Sequence, residues 1–216
     1  MSLTQELADF KKGFQENAPQ NIQELMAQAT ATLESTGIAQ KAPKQGDLLS
    51  PFTLPNHQGN EVALSNLLKE GPVVVVFYRG GWCPYCNLEL AAFQKSLSEI
   101  TDLNANLVAI TPELPDASLS TKEKNALAFD VLTDKNAEYA KSLGLVFTLP
   151  EALRPVYLSF GIEVEKHNGS GQFDLPLAAT FVIAQDGSIA SAFVDTDYTL
   201  RQDPSVVVDV LKSLVQ

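Results

Sequence analysis

The chain is 216 residues long, 45% hydrophobic and formally −11 at neutral pH, which suits one sizeable core with an appended segment. With only three arginines, Arg79, Arg154 and Arg201, and scattered lysines, it lacks the basic cluster that a nucleic acid or an anionic membrane surface requires. No run approaches the ~20 apolar residues of a membrane span, and MSLTQELADFKKGFQ lacks the order of a secretory signal, so a cytoplasmic protein without structural disulfides is expected.

Residues 4–36 read as two helical pieces. Leu7, Phe10 and Phe14 recur at helical spacing, Pro19 interrupts, and Ile22, Leu25, Met26, Ala29 and Leu33 resume the stripe until Gly37 ends it. Such a stripe has to be covered by the rest of the chain or by a second subunit, and intrachain packing is the simpler expectation. A linker, KAPKQGDLLSP, opens the main domain. Phe52–Leu54 and Glu61–Ala63 are expected as short strands around the turn NHQGN, followed by a short helix capped by Ser65 and ended before Gly71. PVVVVFYR, Pro72 to Arg79, is apolar and β-branched without alternation, as for a strand covered on both faces.

Next come an amphipathic helix carrying Leu88, Leu90, Phe93, Leu97 and Ile100, and a strand at Leu107–Ile110. Ser120 to Glu123 has capping-box spacing and is expected to start another helix. Val131–Leu132 follow as a brief strand, Asp134 as an N-cap, Gly144 as a helix end and Pro150–Phe160 as a helical turn or two. HNGSGQFDLP is rich in turn residues and predicts a loop. Thr180–Ala184 and Ile189–Val194 flank QDGS as a hairpin, and Asp203-Pro204 starts a closing helix over Val206–Val215. Parallel crossovers early and antiparallel pairing late make this an α/β fold, a mixed central sheet flanked by helices.

The only two cysteines, Cys83 and Cys86, fall in YRGGWCPYCNLEL, where the buried strand runs into Gly80-Gly81 and a helix begins. Pro84 suits the first helical position, whose N–H has no intrahelical partner. Both sulfurs then sit in or just before the first turn, where free amides and the helix dipole favour a thiolate. Arg79 adds a permanent positive charge nearby. A thiol in that setting titrates below the ~8.5 of a free cysteine. The two-residue spacing also lets one sulfur reach the other, so oxidation of the first can be resolved by the second. With no third cysteine, any intramolecular disulfide is Cys83–Cys86.

A zinc site asks for about four ligands. The further candidates, His57 in NHQGN and His167 in KHNGSG, read as exposed loop residues, so no metal is expected. No haem, flavin or nucleotide signature is present, so no bound cofactor is expected either. Packing alone does not account for a strand, two glycines, a tryptophan and CxxC in succession. Trp82 and Tyr85 are either ordinary apolar cover or the shape of a docking surface, and both remain open.

At these residues the chain resembles the peroxiredoxin-like proteins of the AhpC/TSA family, within the thioredoxin-fold superfamily. VVVVFYRGGWCPYCNLEL is similar to the family's active-site segment, GDLLSPFTLPNHQGNEVALSNLL to its opening and TFVIAQDGSI to its late strand–turn–strand, so the likeness spans roughly residues 43–195. It implies a thioredoxin-like domain over residues 41–216, with residues 1–40 as an N-terminal helical extension. Pro84-Tyr85-Cys86 with Glu89 matches the family's peroxide-reactive cysteine and its neighbours, which implies Cys86 as the peroxidatic position. The family's threonine three residues earlier is Cys83 here, its proline seven residues earlier is Arg79, and its arginine ahead of the late strand falls at Ala178 or close by. Arg79 is the candidate to take over that charge. In the thioredoxins the first cysteine is the nucleophile, an analogy that points to Cys83. Their proline before the late-strand threonine, Thr180, is Ala179 here, and the nearest proline is Pro176.

The resemblance implies a thiol-dependent antioxidant oxidoreductase. It would reduce hydroperoxides through Cys83/Cys86 and be re-reduced by thioredoxin or another dithiol, with Arg79, Trp82, Pro84, Tyr85, Glu89 and Thr180 in support. Two other readings stand beside it: a protein disulfide oxidoreductase in which Cys83 attacks, and a redox-sensing interaction module. The N-terminal helices leave a homodimer open, and neither nucleic acid nor membrane is expected as a partner.

Overall fold

The computed structural model describes residues 1–214. The chain opens with helices α1 (Leu3–Asn17), α2 (Gln20–Ser35) and α3 (Ile38–Lys41), then enters β1 (Thr53–Pro55), β2 (Glu61–Ala63), α4 (Leu64–Glu70) and β3 (Val73–Phe77). After the cysteine turn come α5 (Pro84–Lys95), α6 (Leu97–Asp102), β4 (Asn106–Thr111), α7 (Pro115–Lys124), β5 (Asp130–Thr133) and α8 (Glu138–Ser142). The chain continues through β6 (Val146–Thr148), α9 (Arg154–Ser159), α10 (Val164–Asn168), β7 (Asp174–Pro176), β8 (Ala178–Ile183), β9 (Ile189–Asp195) and α11 (Pro204–Leu214).

The central sheet has the order β5-β4-β3-β8-β9. β3 pairs parallel with β4, and β4 with β5, whereas β8 runs antiparallel to both β3 and β9. The expected mixed sheet is therefore present, parallel where helices cross over and antiparallel where the hairpin returns. β3 is buried at every residue, and its unbroken valines serve two cores. Val74, Val76 and Tyr78 pack with Leu90 and Phe93 of α5, Ile100 of α6 and Val207 and Leu211 of α11. Val73, Val75 and Phe77 pack on the other face with Leu64 of α4 and Ala140 of α8. Burying one such aliphatic or aromatic side chain contributes roughly 1.5–3 kcal/mol, so alternation would weaken a strand covered on both sides.

The N-terminal stripe packs against the chain itself, and in α2 it is only partly covered. Leu3 and Leu7 of α1 enter the first core, while Leu25, Met26 and Ala29 of α2 lie against a smaller cluster that includes Leu149, Leu153 and Tyr157. The two helices differ in grip: α1 buries Leu3 and Leu7, and α2 buries no residue.

Several local expectations give way. Ser65 does not cap α4, which starts at Leu64 behind Ala63 without a side-chain cap. Ser120 to Glu123 lies inside α7, which begins at Pro115, where a proline at the first position and Asp116 in the first turn favour the start. The single amphipathic helix breaks at Ser96 into α5 and α6. Within HNGSGQFDLP, His167 and Asn168 close α10 and Asp174 to Pro176 form β7. Its antiparallel partner β6 has three residues, too few to show a period. Asp134 caps from a distance: its carboxylate accepts the Tyr139 and Ala140 amides of α8, each at 2.9 Å. The expected end of α11 at Val215 lies outside the described residues, among which no helix is long and apolar enough to cross a membrane.

Candidate active site

The strand-to-helix turn is built around two glycines. A Cβ at Gly80 would run into the Trp82 indole nitrogen, and one at Gly81 into the Thr121 hydroxyl, so neighbouring side chains close over bare backbone. The Gly81 N–H donates to Glu113 Oε1 at 3.0 Å, and its carbonyl accepts from Asn87 at 2.8 Å. Cys83 N–H donates to the Gly80 carbonyl at 3.0 Å and closes the turn. Cys83 thereby becomes the N-cap of α5, Pro84 its first residue and Cys86 its third. The Cys83 sulfur accepts the Cys86 N–H at 3.4 Å, the place that a serine or aspartate oxygen takes at other helices.

Both cysteines are free and 0% exposed, and each meets its own guanidinium. Arg79 donates from Nη2 to Cys83 Sγ at 3.1 Å and from Nη1 to the Tyr157 hydroxyl at 3.0 Å. Its Cζ lies 4.4 Å from the Tyr198 ring centre and 5.1 Å from that of Trp82, both favourable cation–π distances. Arg201, from the loop between β9 and α11, donates from Nη2 to Cys86 Sγ at 3.3 Å and from Nε to Glu89 Oε2 at 2.6 Å. Its Nη1 serves the Tyr198 and Leu200 carbonyls, each at 2.6 Å. Helix α1 helps to seat that loop: Lys11 donates to Asp197 and Thr199 at 3.1 and 3.0 Å, and Thr4 to Asp203.

The two sulfurs titrate in opposite directions. Burial works against charge on Cys83. The hydrogen bond from Cys86, the Arg79 guanidinium and the more distant Arg201 outweigh it and hold this thiol well below the ordinary range. Burial, then the hydrogen bond to Cys83 and its charge, push Cys86 well above that range, against both arginines. Adjacent thiols do not both ionise cheaply, so the two titrate as a pair, with the Cys86 hydrogen bond and Arg79 favouring Cys83 as the more acidic. Burial also lifts the Glu89 carboxyl to about 8 despite the Arg201 guanidinium bound to it.

Of the residues read from the sequence, Arg79, Pro84, Cys83, Cys86, Glu89 and Thr180 converge here. Arg79 does not stand in at Cys86; it pairs with Cys83. The charge at Cys86 comes from Arg201, which sequence reasoning missed although it is one of three arginines in an acidic chain. Its segment, DTDYTLRQDP, carries the loop-closing Asp197 and Asp203 as a faint signal. Thr180 lies on β8 opposite Val76, its hydroxyl buried and without a hydrogen-bond partner. Tyr85 is cover: it is buried, with ring centres 5.0 Å from Phe10 and 5.5 Å from Tyr198. Trp82 is half-buried against Tyr157 at 5.7 Å. His167 is no free loop residue, since its Nδ1 lies 3.0 Å from buried Glu113. Glu113, also missed, accepts Gly81, Tyr78 and Thr121 besides. Among the described residues no group of three or more His, Cys, Asp or Glu is placed to hold a metal ion.

Comparison with known proteins gives the family. Residues 45–192 match the model of the AhpC/TSA family. A putative peroxiredoxin of Mycobacterium tuberculosis is 28% identical over 166 residues, covering 74% of this chain and 94% of its own. Peroxiredoxin Bcp of Escherichia coli K12 is 24% identical over 169 residues, covering 78% and 96%. The crystal structure of peroxidoxin BcpB from Mycobacterium tuberculosis superposes with a TM-score of 0.62 at 22% identity, over 79% of this chain and 97% of its own, in keeping with a thioredoxin-like fold. The chain belongs to the AhpC/TSA family and is a thiol-dependent oxidoreductase of the peroxiredoxin type.

Proposed function

We propose that the protein reduces hydroperoxides by a Cys83/Cys86 cycle in which Cys83 attacks first. The observation that carries this order is the pairing of the Cys83 sulfur with Arg79 at 3.1 Å and with the Cys86 amide at 3.4 Å. The Cys83 thiolate attacks the terminal oxygen of the hydroperoxide. An S–O bond forms, the O–O bond breaks, and the alkoxide leaves beside Arg79 and takes up a proton as the alcohol. Cys83 is then a sulfenic acid. The Cys86 thiol attacks that sulfur, the disulfide forms, and the hydroxyl leaves as water with the Cys86 proton. An external dithiol, thioredoxin or another, restores both thiols.

Two specific observations favour other assignments. Cys86 stands at the family's peroxide-reactive position and has its own guanidinium, Arg201, at 3.3 Å, which favours attack by Cys86. The N-cap place of Cys83 favours thiol–disulfide exchange with a partner protein, although both sulfurs are fully covered. Residues 1–40 are read as an extension whose apolar stripe is used on the chain itself, so no dimer enters the proposal.

Trapping sulfenic acid with dimedone after one equivalent of hydrogen peroxide separates these readings. Cys86→Ser is expected to carry one adduct on Cys83 and Cys83→Ser none. The reverse pattern would assign the attack to Cys86. No oxidation of any form, with insulin disulfides still reduced, would assign disulfide exchange.

A further inference from the structure

A cavity of about 300 Å³ lies between α2 and the segment that follows β6, near the lower bound for small-molecule pockets. Its walls are mostly apolar, with Met26, Ala29 and Leu33 from α2 facing Phe147, Leu149 and Leu153, and five threonines set among them. Its polar end is formed by Arg79, Tyr157 and Tyr198. Arg79 is itself almost fully buried, and its Nε has no hydrogen-bond partner while Nη2 holds the Cys83 sulfur. The guanidinium that lines the cavity is thus the one that holds the Cys83 sulfur. A second cavity, of about 520 Å³, is lined by Lys11, Gln23 and Glu24 together with Phe14, Tyr85 and Tyr198 and does not reach Arg79; neither cavity is lined by a cysteine.

We propose that this apolar cavity seats the organic body of the substrate and that Met26, Ala29 and Leu33 determine specificity, favouring hydroperoxides with a compact apolar group over hydrogen peroxide. The inference rests on the hydroperoxide reading and deepens it. The walls contributed by α2 lie outside residues 45–192, the part shared with the family, so the preference is built by the chain's own N-terminal extension. A helix with an apolar stripe but no buried residue, lying over an unfilled apolar space, is what such a wall requires. An apolar group entering the cavity covers that stripe, and hydrogen peroxide leaves it uncovered.

The test is stopped-flow oxidation of the reduced full-length protein by cumene hydroperoxide and by hydrogen peroxide, read as the ratio of the two rate constants. Wild type is expected to favour cumene hydroperoxide by about tenfold or more, the scale on which an apolar pocket discriminates. Ala29→Phe, which fills the cavity from a half-buried helix position, is expected to bring the ratio close to one. Gln28→Phe, on the exposed side of the same helix, is expected to keep the wild-type ratio and so separates filling from disturbance of α2. A wild-type preference for hydrogen peroxide overturns the proposal, as does a ratio that Ala29→Phe leaves unchanged. If neither peroxide oxidises the thiols, the hydroperoxide reading fails and the pocket proposal with it. As an independent readout, 2-phenyl-2-propanol, the alcohol product, is expected to perturb the fluorescence of Trp82, the chain's one tryptophan, which lies against Arg79. That response should weaken in Ala29→Phe; an equal response in both proteins counts against the pocket.

Discussion

Cys83 and Cys86 are both buried at the head of one helix and each touches a guanidinium, yet the two halves of the site are made of different material. Around Cys83, Arg79 meets only a phenol and two aromatic faces, so the thiolate is its one anionic partner. Around Cys86, Arg201 is already bound by Glu89 at 2.6 Å and by two carbonyl oxygens. A buried guanidinium whose N–H groups already serve other acceptors has fewer donors left for a thiolate. The N-cap place adds an amide donor on the Cys83 side alone. Proximity to an arginine is therefore not enough to predict which sulfur ionises; the rest of that arginine's partners decide it.

The largest expected effect lies in the second half. Arg201→Ala leaves the buried Glu89 carboxyl and the Tyr198 and Leu200 carbonyls without their donor, and a buried polar group left unsatisfied costs about 1–3 kcal/mol, read as a lower urea midpoint. An unchanged midpoint would break the comparison, because Arg201 would then not be tied up structurally. Glu89→Gln sharpens it through pH. The folded value of about 8 lies above the ~4.3 of a free glutamate, so the stabilisation is complete below the free value and is lost as pH rises through about 8. Between pH 5 and 9 the variant should lose less stability than wild type, and parallel curves would contradict this. Arg79→Ala should act on reactivity instead. It raises the Cys83 thiol's pKa and slows alkylation at pH 7 about tenfold or more, and an unaltered pH profile would remove Arg79 from its role. Lys11→Ala is the smallest, under about 1 kcal/mol for a partly exposed pair. It should alter labelling of both cysteines slightly, since it loosens the loop that bears Arg201 and carries Tyr198 over Arg79.

What was legible in the sequence follows the range of the interactions involved. β3, the β8–β9 hairpin and the helix beginning at Pro84 announce themselves through neighbours a few residues apart, so pattern and turn chemistry suffice. The capping-box spacing at Ser120 is equally local and misled, because Pro115 had already started the helix. Arg79 was visible beside Cys83, four residues away. Its assignment to Cys86 failed because Arg201 comes from another element, 115 residues from that cysteine, and no period links the two. Glu113 was invisible for the same reason: its four donors come from the cysteine turn, α7 and α10. Arg201 at Cys86, and Tyr157 and Tyr198 at Arg79, all come from distant elements, so CxxC alone left the first nucleophile open.

The most direct measurement is brief labelling of the reduced wild-type protein with iodoacetamide at pH 6 and pH 8, with the modified cysteine located by mass spectrometry. Cys83 is expected to be labelled first, at rates within a few-fold of each other, whereas an ordinary thiol of pKa ~8.5 slows nearly a hundredfold over that interval. Labelling of Cys86 first, or a rate at Cys83 that falls as steeply as an ordinary thiol's, would contradict a site in which Arg79 holds Cys83 as the thiolate.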